Sequence, residues 1–136
     1  EEYFNPYKKC LDIQSIQFTL EDFKRFMRSS NIKIVKENNC IAILGLADSE
    51  IEIHFIGVEE RFRSRGLGKK LLKNIIKFSK DYGATSIILE VGVDNRQAKN
   101  IYLSSNFKEC GIRKNYYRIR PGLRQDALIM KLNLKA

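Results

Sequence analysis

IHFIGVEERFRSRGLGKKLL, Ile53 to Leu72, is the stretch on which the reading of this 136-residue chain turns. An apolar, strand-like run from Ile53 to Val58 passes through a charged turn into Arg65-Gly66-Leu67-Gly68, and an amphipathic helix follows at once. Strand, glycine turn and helix N-terminus in succession make an anion site. Backbone N–H groups converge there, and the helix dipole favours negative charge. Two glycines let a phosphate chain come close to the backbone. The spacing argues against two common phosphate loops. A Walker loop needs glycine where Arg63 stands and Ser or Thr where Lys70 stands, and a dinucleotide fingerprint needs glycine where Leu71 stands. What remains is R-x-x-G-x-G, over Arg63, Gly66 and Gly68, a pattern that suits a diphosphate.

Composition bounds the partners without naming one. A net charge of +9 implies an anion, and nucleic acid, the ribosome, an acidic peptide or a polyphosphate cofactor would all fit. So would a lysine-rich surface that is merely soluble. At 136 residues the chain is expected to form one domain, residues 1–136, that buries roughly two-thirds of its unfolded surface. The longest apolar run, Cys40 to Ala47, falls far short of the ~20 residues that span a bilayer, so no membrane partner is expected. Cys10, Cys40 and Cys110 are scattered and lack metal-ligand spacing. They read as reduced thiols of a cytoplasmic protein that binds no metal.

Periodicity orders the elements around the opening stretch. Thr19 caps a helical pattern at Leu20, Phe23, Phe26 and Met27. Ile32 to Val35 and Ile41 to Leu46 flank Glu37-Asn38-Asn39 as a hairpin, and Glu50 to Val58 gives a third strand. The helix after Gly68 should stop at Gly83. Thr85 to Val91 reads as a strand and Asn95 to Ser104 as a short helix, with Asn106 in a left-handed turn. Two last strands, about Phe107 to Ile119 and Asp126 to Leu134, leave a loop around Pro121-Gly122. The order α-β-β-β-α-β-α-β-β predicts an α/β domain with a mixed sheet.

A second set of residues supplies a resemblance. Leu89-Glu90-Val91, Asn95, Ala98, Ile101-Tyr102, Phe107, Arg113, Asn115-Tyr116-Tyr117 and Asp126-Ala127-Leu128 with Met130 stand in unbroken order. They resemble the second half of a GNAT-type N-acetyltransferase, and within that superfamily the ribosomal-protein-alanine N-acetyltransferases. The glycine motif fits the same family's coenzyme A loop, so the likeness covers about residues 40–134. Some positions depart from the family: Glu60 and Arg118 stand where it has prolines, and the chain has no tryptophan.

The resemblance implies a mostly antiparallel mixed sheet, flanked by helices and splayed between two central strands. It implies acetyl-coenzyme A as donor and the α-amino group of a protein N-terminus as acceptor, with an N-terminal alanine of a ribosomal protein as the leading candidate. Glu90 would be the base and Tyr102 the acid, in a direct transfer with no acyl-enzyme. Backbone from Arg63 through Ser64, Arg65, Gly66, Leu67 and Gly68 to Lys69 would wrap the pyrophosphate. Ile56 and Val58 would pair with the pantetheine arm, the Val58 N–H would meet the thioester oxygen, and Asn95 would touch the cofactor. Tyr116, Tyr117 and a loop from Arg118 to Gln125 would shape the peptide entrance.

Plainer readings stand beside these. Taken alone, Glu90 is a surface residue of a strand, Tyr102 is core packing, and His54 is structural. The basic group Arg61, Arg63, Arg65, Lys69, Lys70 and Lys73 is a solvated face. A transferase for lysine side chains or small amines keeps the same cofactor. A non-catalytic basic module for RNA or ribosomes fits the charge but leaves the strand–turn–helix loop without a purpose.

Overall fold

The computed structural model describes residues 31–120 and 123–134, together with Lys24 and Arg28. The helix expected after Thr19 lies outside the described residues except at those two positions, both of them helical. Strands β1 (Ile32–Glu37), β2 (Cys40–Leu46) and β3 (Glu50–Val58) are followed by a 3-10 turn, Glu60–Phe62, and helix α1 (Leu67–Tyr82). Then come β4 (Ser86–Gly92), α2 (Arg96–Ser104), β5 (Lys108–Arg120) and β6 (Leu123–Asn133). The strands form one sheet in the order β1-β2-β3-β4-β6-β5. Every neighbouring pair is antiparallel except β3 and β4, which are parallel and joined through α1. The expected mixed, mostly antiparallel α/β architecture is therefore present.

Local sequence explains the joints. Asn38 takes φ 47 between Glu37 and Cys40, and Asn106 takes φ 73 ahead of β5, as short polar side chains permit. At the end of α1, Gly83 has φ 95; its N–H bonds Lys80 O and the next N–H bonds Ser79 O, the Schellman pattern. Helix α1 buries Leu71, Leu72, Ile75 and Ser79 at the spacing of one helical face. That face joins α2 through Tyr102, and both lie over Cys40, Ala42, Leu44, Ile51, Ile53, Ile87, Leu89, Val91, Leu128 and Met130. Alternation turns Ile41, Ile43 and Ala127 toward the opposite face, where they are just as deeply buried.

Two features of the sheet position the site. Leu44 pairs with Ile53 and Ile43 with Phe55, so His54 is the extra residue of a β-bulge. Directly before it, the parallel ladder ends at Ile53↔Leu89. Beyond that pair, His54–Val58 and Glu90–Gly92 run on without pairing to each other as strands. This is the expected splay between central strands.

The far hairpin differs from expectation. The segment from Arg118 to Gln125 is mostly strand, with Tyr117↔Gln125, Arg118↔Arg124 and Arg120↔Leu123 in register. Pro121-Gly122 misled because turn residues mark a reversal but not how tightly it closes. Leu72 is fully buried against the sheet, so Leu72→Ala should cost about 2–5 kcal/mol of unfolding free energy. Urea denaturation would measure it, and a midpoint unchanged from the parent would contradict this packing.

Candidate active site

One end of the gap is built almost wholly of backbone. After β3 the chain makes its 3-10 turn, and Arg63 becomes extended at φ −72 and ψ 163. Ser64 has φ 64 and Gly66 φ 79, whereas Arg65 between them stays at negative φ. Such alternation turns successive N–H groups toward one side, the concave arrangement that holds anions. Gly66 caps α1 without a side-chain hydrogen bond, and the first helical bond runs from Lys70 N–H to Gly66 O. The N–H groups of Leu67, Gly68 and Lys69 precede the helix's own ladder and carry the positive end of its dipole. A Cβ on Gly68 would lie 3.5 Å from Val58 Cγ2, so the loop sits directly against the end of β3.

The side chains here divide into two kinds. Arg63 Nε donates to Val58 O at 2.8 Å, which ties the loop to the strand end; its guanidinium is part of the frame. The Arg65 guanidinium lies 5.4 Å from the Phe62 ring centre. Arg61, Lys69, Lys70 and Lys73 are exposed around the helix start. Sequence reasoning did not anticipate the left-handed Ser64, because serine carries no signal for that conformation.

The other end of the gap is acidic. Glu90 is the first β4 residue beyond the ladder, on the face opposite Leu89 and Val91. Its side chain is only 17% exposed, and Arg113 Nη1 stands 3.4 Å from Oε2. Among the described residues that buried oxygen accepts no hydrogen bond, so the contact with Arg113 is one of charge. Burial raises the Glu90 pKa above the ordinary carboxylate value; Arg113 opposes this and Glu52 adds to it. His54 Nδ1 is 3.6 Å from Glu52 Oε2. Its ring lies over Gly45, where a Cβ would collide with Nε2. Burial lowers the His54 pKa against the pull of Glu52, leaving a neutral imidazole at neutral pH.

Tyr102 is in the core, its ring 5.7 Å from that of Phe107. Burial pushes its pKa well above the usual phenol value, so it stays protonated at working pH. Asn95 caps α2, its Oδ1 accepting from Ala98 N–H at 3.3 Å. Tyr116 and Tyr117 belong to β5. Asn115 takes φ 52 where the β5–β6 register shifts, and its N–H donates to Asp126 Oδ1 at 2.8 Å. Gln125 Nε2 donates to Asp94 Oδ2 at 3.0 Å and Val93 N–H to Asp126 O at 3.1 Å, stitching the start of α2 to the hairpin. Cys40 is buried in the core cluster, whereas Cys110 is exposed. Cys10 lies outside the described residues.

These features fit a pantetheine diphosphate thioester: N–H donors for a diphosphate, then an open strand edge at Ile56 and Val58, then the Glu90 carboxylate, while Tyr102 lies among the core side chains. Comparison with known proteins agrees. A family model described as the Acetyltransferase (GNAT) family matches residues 2–107. The [Ribosomal protein bS18]-alanine N-acetyltransferase of Haemophilus ducreyi is 35% identical over 106 residues, covering 76% of this chain and 73% of that protein. The crystal structure of the ribosomal-protein-S18-alanine N-acetyltransferase from Escherichia coli superposes with TM-score 0.73 at 29% identity, covering 83% of this chain and 77% of that one. A GNAT family acetyltransferase from Elizabethkingia anophelis, solved with acetyl-CoA bound, shares the fold: TM-score 0.70 and 23% identity over 85% of this chain and 83% of that one.

Gly66 at φ 79 has open space around its Cβ position, so a side chain there meets conformational cost alone. Gly66→Ala should destabilise by about 1 kcal/mol and loosen the N–H cradle. Calorimetric titration with coenzyme A should show weaker binding, and unaltered affinity would dissociate the cradle from the diphosphate.

Proposed function

Because the chain belongs to the GNAT acetyltransferase family, whose acyl donor is acetyl-coenzyme A, we propose that it acetylates the α-amino group of a protein N-terminus. An N-terminal alanine of a ribosomal protein is the acceptor its relatives' substrates favour. The observation that carries the reading is the parting of β3 and β4. It leaves a strand edge at Ile56 and Val58 between an N–H cradle and a desolvated carboxylate. Such a reaction belongs to the cytoplasm, where new N-termini leave the ribosome. No helix among the described residues is long and apolar enough to cross a membrane.

Acetyl-coenzyme A supplies the acetyl group as a thioester. The backbone of Arg63, Ser64, Arg65, Gly66, Leu67, Gly68 and Lys69 would hold its diphosphate, with the exposed cations around the helix start drawing it in. Glu90 acts on the acceptor. An α-amino group has a pKa of ~7.7–8.0 and is largely protonated at neutral pH, so its proton must leave before the nitrogen can attack. A carboxylate whose pKa is raised toward that of the amine takes the proton with less loss of free energy. Glu52 and Glu90 together also attract the ammonium form into the gap. Tyr102 stays protonated and serves as donor to the departing sulfur. Proton transfer from a buried phenol to a thiolate is uphill, and less so when the apolar wall around Tyr102 desolvates the thiolate as well. Of the two described cysteines, Cys40 lies in the core cluster and Cys110 on the edge strand, and the transfer proposed is a direct attack with no acyl-enzyme.

Two measurements test this reading. Peptides with free and with blocked α-amino groups, incubated with acetyl-coenzyme A, are analysed by mass spectrometry. One acetyl group should appear on the terminal nitrogen of the free peptides alone; modification of lysines in blocked peptides would move the acceptor class to side chains. Separately, Glu90→Gln and Tyr102→Phe should each lower kcat by about 100-fold or more, with coenzyme A affinity within about twofold of the parent. Undiminished turnover in both variants would remove their assigned roles.

A further inference from the structure

We propose that Arg113, on edge strand β5, is a positioning residue for the transfer: its guanidinium holds the Glu90 carboxylate ionised and fixed for the incoming amine. The inference rests on the reading of Glu90 as proton acceptor and extends it to a residue on a strand that does not border the gap.

Two irregularities in β5 bring Arg113 to this place. Glu109 pairs with Met130 and Gly111 with Ile129, so Cys110 is an extra residue that resets the alternation of the strand. As a result Arg113, opposite Ala127, shares a face with Glu90, which pairs with Ile129 on the other side of β6. The second irregularity begins immediately after it, where Asn115 turns left-handed against the Asp126 carboxylate. Arg113 is thus the last residue in register before the bulge, and its partner Ala127 is fully buried. The backbone carrying the guanidinium is pinned from both sides.

Charge gives the contact its purpose. The Arg113 side chain is 55% exposed and that of Glu90 17%, so the cation stands at the solvent side with the carboxylate behind it. Several other charged or titratable groups share this face. Glu52 and His54 come from β3, the second neutral at working pH. Lys131 comes from β6 and Glu50 from β3; their charges meet each other at 3.8 Å. Glu52 and burial both favour the protonated form of Glu90, and Arg113 opposes them. A protonated carboxyl cannot take a proton from the amine. Arg113 therefore favours the ionised acceptor, and its charge at 3.4 Å restrains the side chain.

Loss of the cation removes an influence that lowers the Glu90 pKa, so the acidic limb of kcat/KM must move to higher pH. The ratio of Arg113→Gln to the parent cancels the ionisation of the peptide amine. It should show a roughly three- to tenfold loss at the acid end of the profile that narrows to nothing as pH rises, the half-exposed guanidinium exerting a screened effect. Arg113→Lys should restore most of the loss. Independently of activity, the carboxyl 13C resonance of Glu90, identified by its disappearance in Glu90→Gln, should titrate at higher pH in Arg113→Gln. A ratio flat across pH, or an unmoved resonance, would overturn the role of Arg113 while leaving Glu90 as base. Full activity of Glu90→Gln would instead defeat the underlying reading.

Discussion

The site depends on a single break in the central ladder, where β3 and β4 stop pairing after Ile53↔Leu89. Its local cause is the bulge at the next residue, His54, which bends and twists β3 away from its neighbour. Parallel strands need a long crossover, and here α1 supplies it. The N-terminus of that helix consequently lies by the end of the strand it follows, beside the opening. Backbone donors, an open strand edge and the Glu90 carboxylate are brought together by this one topological arrangement.

The opening is electrically two-ended. Its helix end collects N–H groups and exposed cations, whereas its opposite face carries Glu52 and Glu90. A polyanionic donor and a cationic amine would approach from these different sides, each attracted by one end and repelled by the other. The overall charge of +9 conceals this division, because the acidic residues that matter are few and partly buried. Desolvation then does what formal charge alone cannot, lifting the Glu90 pKa toward that of an amine.

Several residues of the sequence motifs serve the backbone. Asn95 caps α2, Asn106 turns the chain into β5, and Asn115 makes a left-handed bulge whose N–H is met by Asp126. The R-x-N-Y-Y and D-A-L-x-M segments thus explain one another structurally: Asn115 N–H bonds the Asp126 carboxylate, and Asp126 O in turn accepts from Val93 N–H ahead of α2. Arg63 belongs with them, its side chain bound to the carbonyl of Val58. A motif can recur because its backbone is demanding as well as because its side chains do chemistry.

The sequence by itself determined the element order and the strand–glycine–helix turn, which are encoded locally in periodicity and in glycines at 66, 68 and 83. The candidate pair Glu90 and Tyr102 came from the family resemblance, since each residue taken alone reads as surface or core. The sequence set the ends of most elements within a few residues and missed chiefly the tight closure of the β5–β6 hairpin. Only the tertiary structure decided that Arg113 meets Glu90, that Glu52 and His54 stand on the same face, and that Arg63 braces the strand end. Those contacts depend on bulges at His54 and Cys110, each adding one residue and reversing which side chains share a face. Neither residue type marks a bulge in advance, because the register is fixed by the partner strand and by burial of the whole sheet.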